Sequence, residues 1–204
     1  MIDMNTGQSL EYYHLIRGLD KDIWKTSLEN DLRRLAQGVG TIILTGTNTV
    51  FFIPRSAIPA GRTVSYSRLV ASIRPDKTET HRVRVTVGSN MLDFPGDTTT
   101  NCASLTTTKC ILKITISTPG YRFITLDIKN FYYNTTMGRY EYMKISLAIL
   151  PKEIIAQYNL LQLASNGWVY LEIRKGMPGL KQAGRITNDR LKIHFDKFGY
   201  FPVA

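Results

Sequence analysis

The six residues from Arg82 to Val87 (RVRVTV) alternate strictly, with valine at every second position and arginine or threonine between. Successive side chains of a strand point to opposite faces. Val83, Val85 and Val87 therefore belong on a core, and Arg82, Arg84 and Thr86 on the other side. A strand of that kind needs a sheet with one covered face. Asp22 to Gln37 (DIWKTSLENDLRRLAQ) can cover it, because Trp24, Leu28, Leu32 and Leu35 follow at spacings of four, four and three, one face of an α-helix. Asp20 or Asp22 is placed to cap that helix, and Gly38 to stop it.

The rest of the chain adds helices and strands without a regular βαβα rhythm. Two apolar runs, TIIL and VFFI, flank Gly46-Thr47-Asn48 and predict a hairpin-like pair, followed by a stiff connector with Pro54 and Pro59. Arg62 to Arg74 reads as extended and ends at the turn Pro75-Asp76-Lys77. Ser104 caps a predicted helix reaching Ser117, and Thr118-Pro119-Gly120 is a turn. Arg122 to Ile128 (RFITLDI) predicts a buried strand with one carboxylate, Asp127, near its end. Tyr140–Leu147 and Trp168–Arg174 are strand-like, Pro151–Tyr158 suits a short helix, and Leu180–Phe198 carries an imperfect apolar stripe. The expected class is α+β, with mixed helices and antiparallel strands.

Charge is unevenly spread along the 204 residues, whose formal net charge is +10. Residues 1–54 hold 5 basic and 6 acidic side chains, residues 55–125 hold 10 and 4, and residues 126–204 hold 11 and 6. A basic excess confined to the last three quarters suits a polyanion-binding surface, and it equally describes a merely soluble basic protein. No apolar run is long enough for a membrane span, and the first twenty residues lack a basic start followed by an apolar run. The two cysteines, Cys102 and Cys110, form no CxxC. The expectation is a reduced, intracellular protein that is neither secreted nor bound to a membrane.

Zinc chemistry is disfavoured, since His14, His81 and His194 are scattered and none stands at ligand spacing from a cysteine. Neither G-x-x-x-x-G-K-[ST] nor G-x-S-x-G occurs. Two candidates remain. Arg82 and Arg84, about 7 Å apart on one strand face, form either a phosphate clamp or ordinary edge charge. Asp127 is either a turn cap or a ligand for a hard cation such as Mg²⁺, with Phe131, Tyr132 and Tyr133 close behind to pack against a sugar or base.

Taken in order, these segments resemble a known family, the reverse transcriptases of copia-type long-terminal-repeat retrotransposons. The helix with Trp24 and Glu29 is similar to the family's opening W-x-x-A-x-x-x-E block, and Arg82–Val87 followed by Gly88 to its fingers strand K-A-R-L-V-A-x-G. Leu126-Asp127-Ile128-Lys129-Asn130-Phe131-Tyr132 resembles the first palm carboxylate motif, D-V-K-x-A-F, and Tyr142-Met143-Lys144-Ile145 follows as the V-Y-M strand does. Gly179-Leu180-Lys181-Gln182-Ala183-Gly184-Arg185 resembles Y-G-L-K-Q-A-x-R, and together the blocks span about residues 22 to 200.

The resemblance implies the fingers and partial palm of a right-hand RNA-directed DNA polymerase: a lead-in over 1–21, a fingers-like region over 22–118 and a partial palm over 119–204. It implies that Asp127 and the Ile128 carbonyl bind catalytic Mg²⁺, that Arg84 grips the incoming deoxynucleoside triphosphate with help from Arg82, that Tyr132 is the steric gate against a 2′-hydroxyl, and that Gln182 lies against nucleotide and template. The implied partners are an RNA or DNA template-primer and the remaining polymerase and RNase H regions, in a cytoplasmic particle or the nucleus. The family's adjacent Asp-Asp pair has no counterpart in the sequence. One carboxylate is too few for two metal ions about 3.5–4 Å apart. The expectation is thus a truncated polymerase, inactive alone, or else a nucleic-acid-binding relic without chemistry.

Overall fold

A computed structural model describes residues 10–39, 45–100 and 104–202. Its elements are α1 (Tyr12–Leu15), α2 (Lys21–Leu35), β1 (Val50–Ile53), β2 (Val64–Ile73), β3 (His81–Val87), α3 (Leu105–Ser117), β4 (Thr136–Ser146), α4 (Lys152–Gln157), α5 (Leu160–Leu163), β5 (Trp168–Lys175) and α6 (Ala183–Asp196). The class is α+β. The five strands form one sheet in the order β1-β5-β4-β2-β3. β1 with β5, β5 with β4 and β2 with β3 are antiparallel, whereas β2 and β4 run parallel over Val64–Tyr66 and Tyr142–Lys144. The sheet is therefore mixed rather than antiparallel throughout. Its strand order interleaves segments from either side of residue 118, so the fingers-like and palm-like stretches share one sheet and one core.

α2 packs against β3 with Trp24, Leu28, Leu32 and Leu35 buried, as the periodicity predicts. Its polar side chains also close the outer edge of β3. Ser27 Oγ accepts the Val83 N–H at 2.7 Å, and Asp31 Oδ2 accepts the Val85 N–H at 2.8 Å. The match is geometric, because four helical residues rise ~6 Å and two strand residues ~6.8 Å. The third outward amide, Val87 N–H, donates to the Pro178 carbonyl at 3.1 Å. An edge that would otherwise invite another strand is thus satisfied.

α2 ends as expected near Gly38, whose φ of +85° lets its N–H reach the Arg33 carbonyl at 3.0 Å. The chain then returns, and the N–H groups of Thr47, Asn48 and Thr49 donate to the carbonyls of Arg34, Ala36 and Leu35. The orphan carbonyls of the helix end are filled by the segment that leads into β1. The TIIL run of the predicted hairpin lies outside the described residues, and β1 pairs with β5.

Ser104 caps α3 through its Oγ, which accepts the Thr107 N–H at 3.0 Å. No residue of α3 is buried. The predicted buried strand over Arg122–Ile128 is a correction. That stretch is irregular and exposed, with Ile124 at 75% and Leu126 at 70%. A strand of apolar character needs a ladder partner to settle into a sheet, and no described residue pairs with this one. Among the described residues no helix is long and apolar enough to cross a membrane.

Candidate functional site

Three elements meet beside the α2–β3 seam around a cleft of about 370 Å³. α2 contributes Asp31, Arg34 and Leu35, β3 contributes Arg82, and the turn before β4 contributes Lys129, Asn130 and Tyr133. Thr45 and Thr47, from the segment that caps α2, complete the wall. Arg84 is next on the same face of β3, and both Arg84 and Arg82 lie near enough to Asp31 and Tyr133 to act on their ionisation. Tyr133 is pushed up to about 12, mainly by burial and then by the Asp31 charge.

The arginines are only half-exposed, which departs from the solvent face expected for them. The Nε atoms of Arg82 and Arg84 are buried with no hydrogen-bond partner, as is that of Arg74 nearby. Burial, followed by repulsion from Arg84 and Arg74, lowers the Arg82 pKa, while Asp31 and Glu79 oppose that. Glu79 is already engaged, at 3.0 Å from Arg74 and 3.5 Å from Arg34. The cleft is a concentration of cationic groups with little counter-charge, which is the electrostatic form of an anion site.

Asp31 went unnoticed in the sequence because a polar residue inside an amphipathic helix reads as solvent-facing. It is 4% exposed, and its pKa is raised to about 6 by burial, opposed by the Val85 N–H and the neighbouring arginines. A carboxyl group whose folded pKa is raised holds its proton more tightly folded than unfolded. Its contribution to stability is complete below pH 3.8 and lost as pH rises through about 6. Urea denaturation at about pH 5 and pH 7 should give a decline with pH that Asp31→Asn shrinks by on the order of 1 kcal/mol. An unchanged pH slope in that variant would count against the assignment.

The other expected site residues are placed as follows. Asp127 lies in the exposed segment, two residues from Lys129 in the cleft wall, and Ile128 is 41% exposed. Tyr132 is 39% exposed in a short 3-10 turn, with its ring 5.9 Å from that of Phe131. Gln182 is elsewhere in kind: 2% exposed, its amide donates to Glu141 Oε1 at 3.4 Å. Glu141 in turn pairs with Arg62 at 3.1 Å, and its pKa is raised by burial against the pull of Arg62, Arg139 and Gln182. The cleft thus gathers Arg82 and the turn after Asp127, whereas Gln182 belongs to a buried network with β4.

A pair of magnesium ions would need more carboxylate donors than Asp127 alone supplies. Among the described residues no group of three or more His, Cys, Asp or Glu side chains could hold a metal ion. Compared with family models, curated proteins and solved structures, the chain matches none of them.

Proposed function

We propose that this chain is the fingers and partial palm of a copia-type reverse transcriptase, and that the cleft at Arg82 and Arg84 receives the triphosphate of an incoming deoxynucleotide. The observation that carries the reading is the meeting of Arg82 with Lys129 and Asn130, from two of the resembling blocks, at one arginine-rich cleft. Charge-assisted contacts from guanidinium to phosphate oxygens are the chemistry that such a cleft offers. Asp127 and the Ile128 carbonyl remain the proposed Mg²⁺ ligands of the complete enzyme, with Tyr132 as the proposed gate and the template-primer as partner. One carboxylate does not by itself make a two-metal site.

Calorimetric titration with a deoxynucleoside triphosphate tests the reading. Arg84→Ala should weaken binding by about 1.5–3 kcal/mol, the range for a hydrogen bond to a charged group. Equal affinity in parent and variant would remove Arg84 from the site. A second reading, polyanion binding without chemistry, is favoured by the same crowding of arginines. It predicts that nucleic acid binds with a steep loss of affinity as salt rises, and that triphosphates are not preferred over other anions of equal charge.

A further inference from the structure

We propose that Asp31 is a proton-operated counter-ion of the arginine cleft, ionised when the cleft is empty and protonated when a polyphosphate anion fills it. This rests on the triphosphate reading of the cleft above.

The geometry supplies both halves of the device. Asp31 lines the cleft, is nearly inaccessible, and has one oxygen fixed by the Val85 N–H at 2.8 Å. Although Arg34, Arg82 and Arg84 act on it from α2 and β3, no ion pair within 4.0 Å joins it to any described residue. The guanidinium Nε atoms of Arg82 and Arg84 are likewise unmatched. A buried carboxylate and half-buried guanidiniums that stand near each other without an ion pair leave the guanidiniums available to a ligand. They also leave the carboxylate without fixed compensation.

An anion entering this cleft would bring negative charge close to Asp31 in a poorly solvated place, where repulsion is weakly screened. The carboxyl group escapes that repulsion by taking a proton, and its pKa already lies raised to about 6, so little further rise is needed near neutrality. The groups facing it are Arg34 on its own helix, Arg82 and Arg84 on β3, and Tyr133 and Lys129 from the turn before β4, with Arg74 and Glu79 beyond. By linkage, whatever the anion adds to proton affinity the proton adds to anion affinity.

The probe is trimetaphosphate, a cyclic triphosphate whose own charge stays constant across the range, titrated calorimetrically into the 204-residue chain. Binding should be about sixfold tighter at about pH 5.5 than at about pH 7.5 for one pKa unit of coupling. Repeating the titration in buffers of different ionisation enthalpy should reveal uptake of about half a proton per anion bound between about pH 6 and pH 7. Asp31→Asn should bind at least as tightly as the parent near pH 7.5 and take up no proton. Binding by the parent without proton uptake would overturn the inference while leaving the cleft as an anion site. Uptake that persists in Asp31→Asn would overturn it too, assigning the proton to another group such as His81. Absence of trimetaphosphate binding at any pH would overturn the reading of the cleft itself, and this inference with it.

Discussion

Leu32→Ala should destabilise the fold by about 3–4 kcal/mol and move the urea midpoint downward with little change in slope. Leu32 is fully buried on the face of α2 that meets β3, between Leu28 and Leu35, which are 0% and 1% exposed. Removing its side chain leaves a cavity walled by a helix that cannot move inward. Ser27 and Asp31 hold that helix to the β3 edge by hydrogen bonds at fixed spacing, and Thr47, Asn48 and Thr49 hold its end. A rigid wall keeps the cavity open, so the cost belongs in the upper part of the range for such truncations. That is a large share of the ~5–15 kcal/mol by which domains are stable. A loss below about 1 kcal/mol would mean that α2 repacks freely. The tie between helix and strand that positions Asp31 and Arg34 beside Arg82 would then be weaker than the hydrogen bonds imply.

The same seam marks what the sequence could and could not convey. The alternation of Arg82–Val87 and the stripe Trp24-Leu28-Leu32-Leu35 are periodic signals of burial, and both elements form where those signals stand. The Ser104 cap is equally local and equally legible. Asp31 was hidden because its burial depends on a β3 amide 54 positions away, which no local pattern encodes. Arg122–Ile128 misled for the converse reason: apolar composition predicts burial only if a neighbour exists, and none of the described residues supplies one. The parallel pairing of β2 with β4 joins strands separated by α3 and more than sixty residues. Non-local pairing of that kind leaves no mark on either strand. The cleft was half legible, since Arg82 and Arg84 announced themselves as a pair of like charges on one strand face, while the acid that sets their chemistry did not.

Gly179→Val should cost roughly 3 kcal/mol or more, and the corresponding change at Gly120 should cost far less. Both glycines have positive φ, +97° at Gly179 and +82° at Gly120, so both substitutions pay the strain of a left-handed backbone. Only Gly179 is also crowded. A Cβ there would lie 2.3 Å from the Val87 carbonyl oxygen and 2.6 Å from its nitrogen, whereas around Gly120 nothing lies within 4 Å. The crowding atoms are backbone, so a rotamer change cannot relieve them, and β3 itself must shift. The Pro178 carbonyl that accepts the Val87 N–H at 3.1 Å would be displaced in the same movement. The glycine that opens Gly179-Leu180-Lys181-Gln182-Ala183 is thus required by close docking of that turn on the end of the strand carrying Arg84, a physical reason independent of any resemblance. Thermal melts of the two variants separate strain from docking, because strain alone predicts similar losses at both positions. If the docking also sets the register of β3, trimetaphosphate affinity should fall in Gly179→Val at temperatures where it is still folded and stay at the parental value in Gly120→Val. Equal melting losses, or an unaltered affinity in folded Gly179→Val, would show that β3 holds its place without the turn and that α2 alone aligns the arginines.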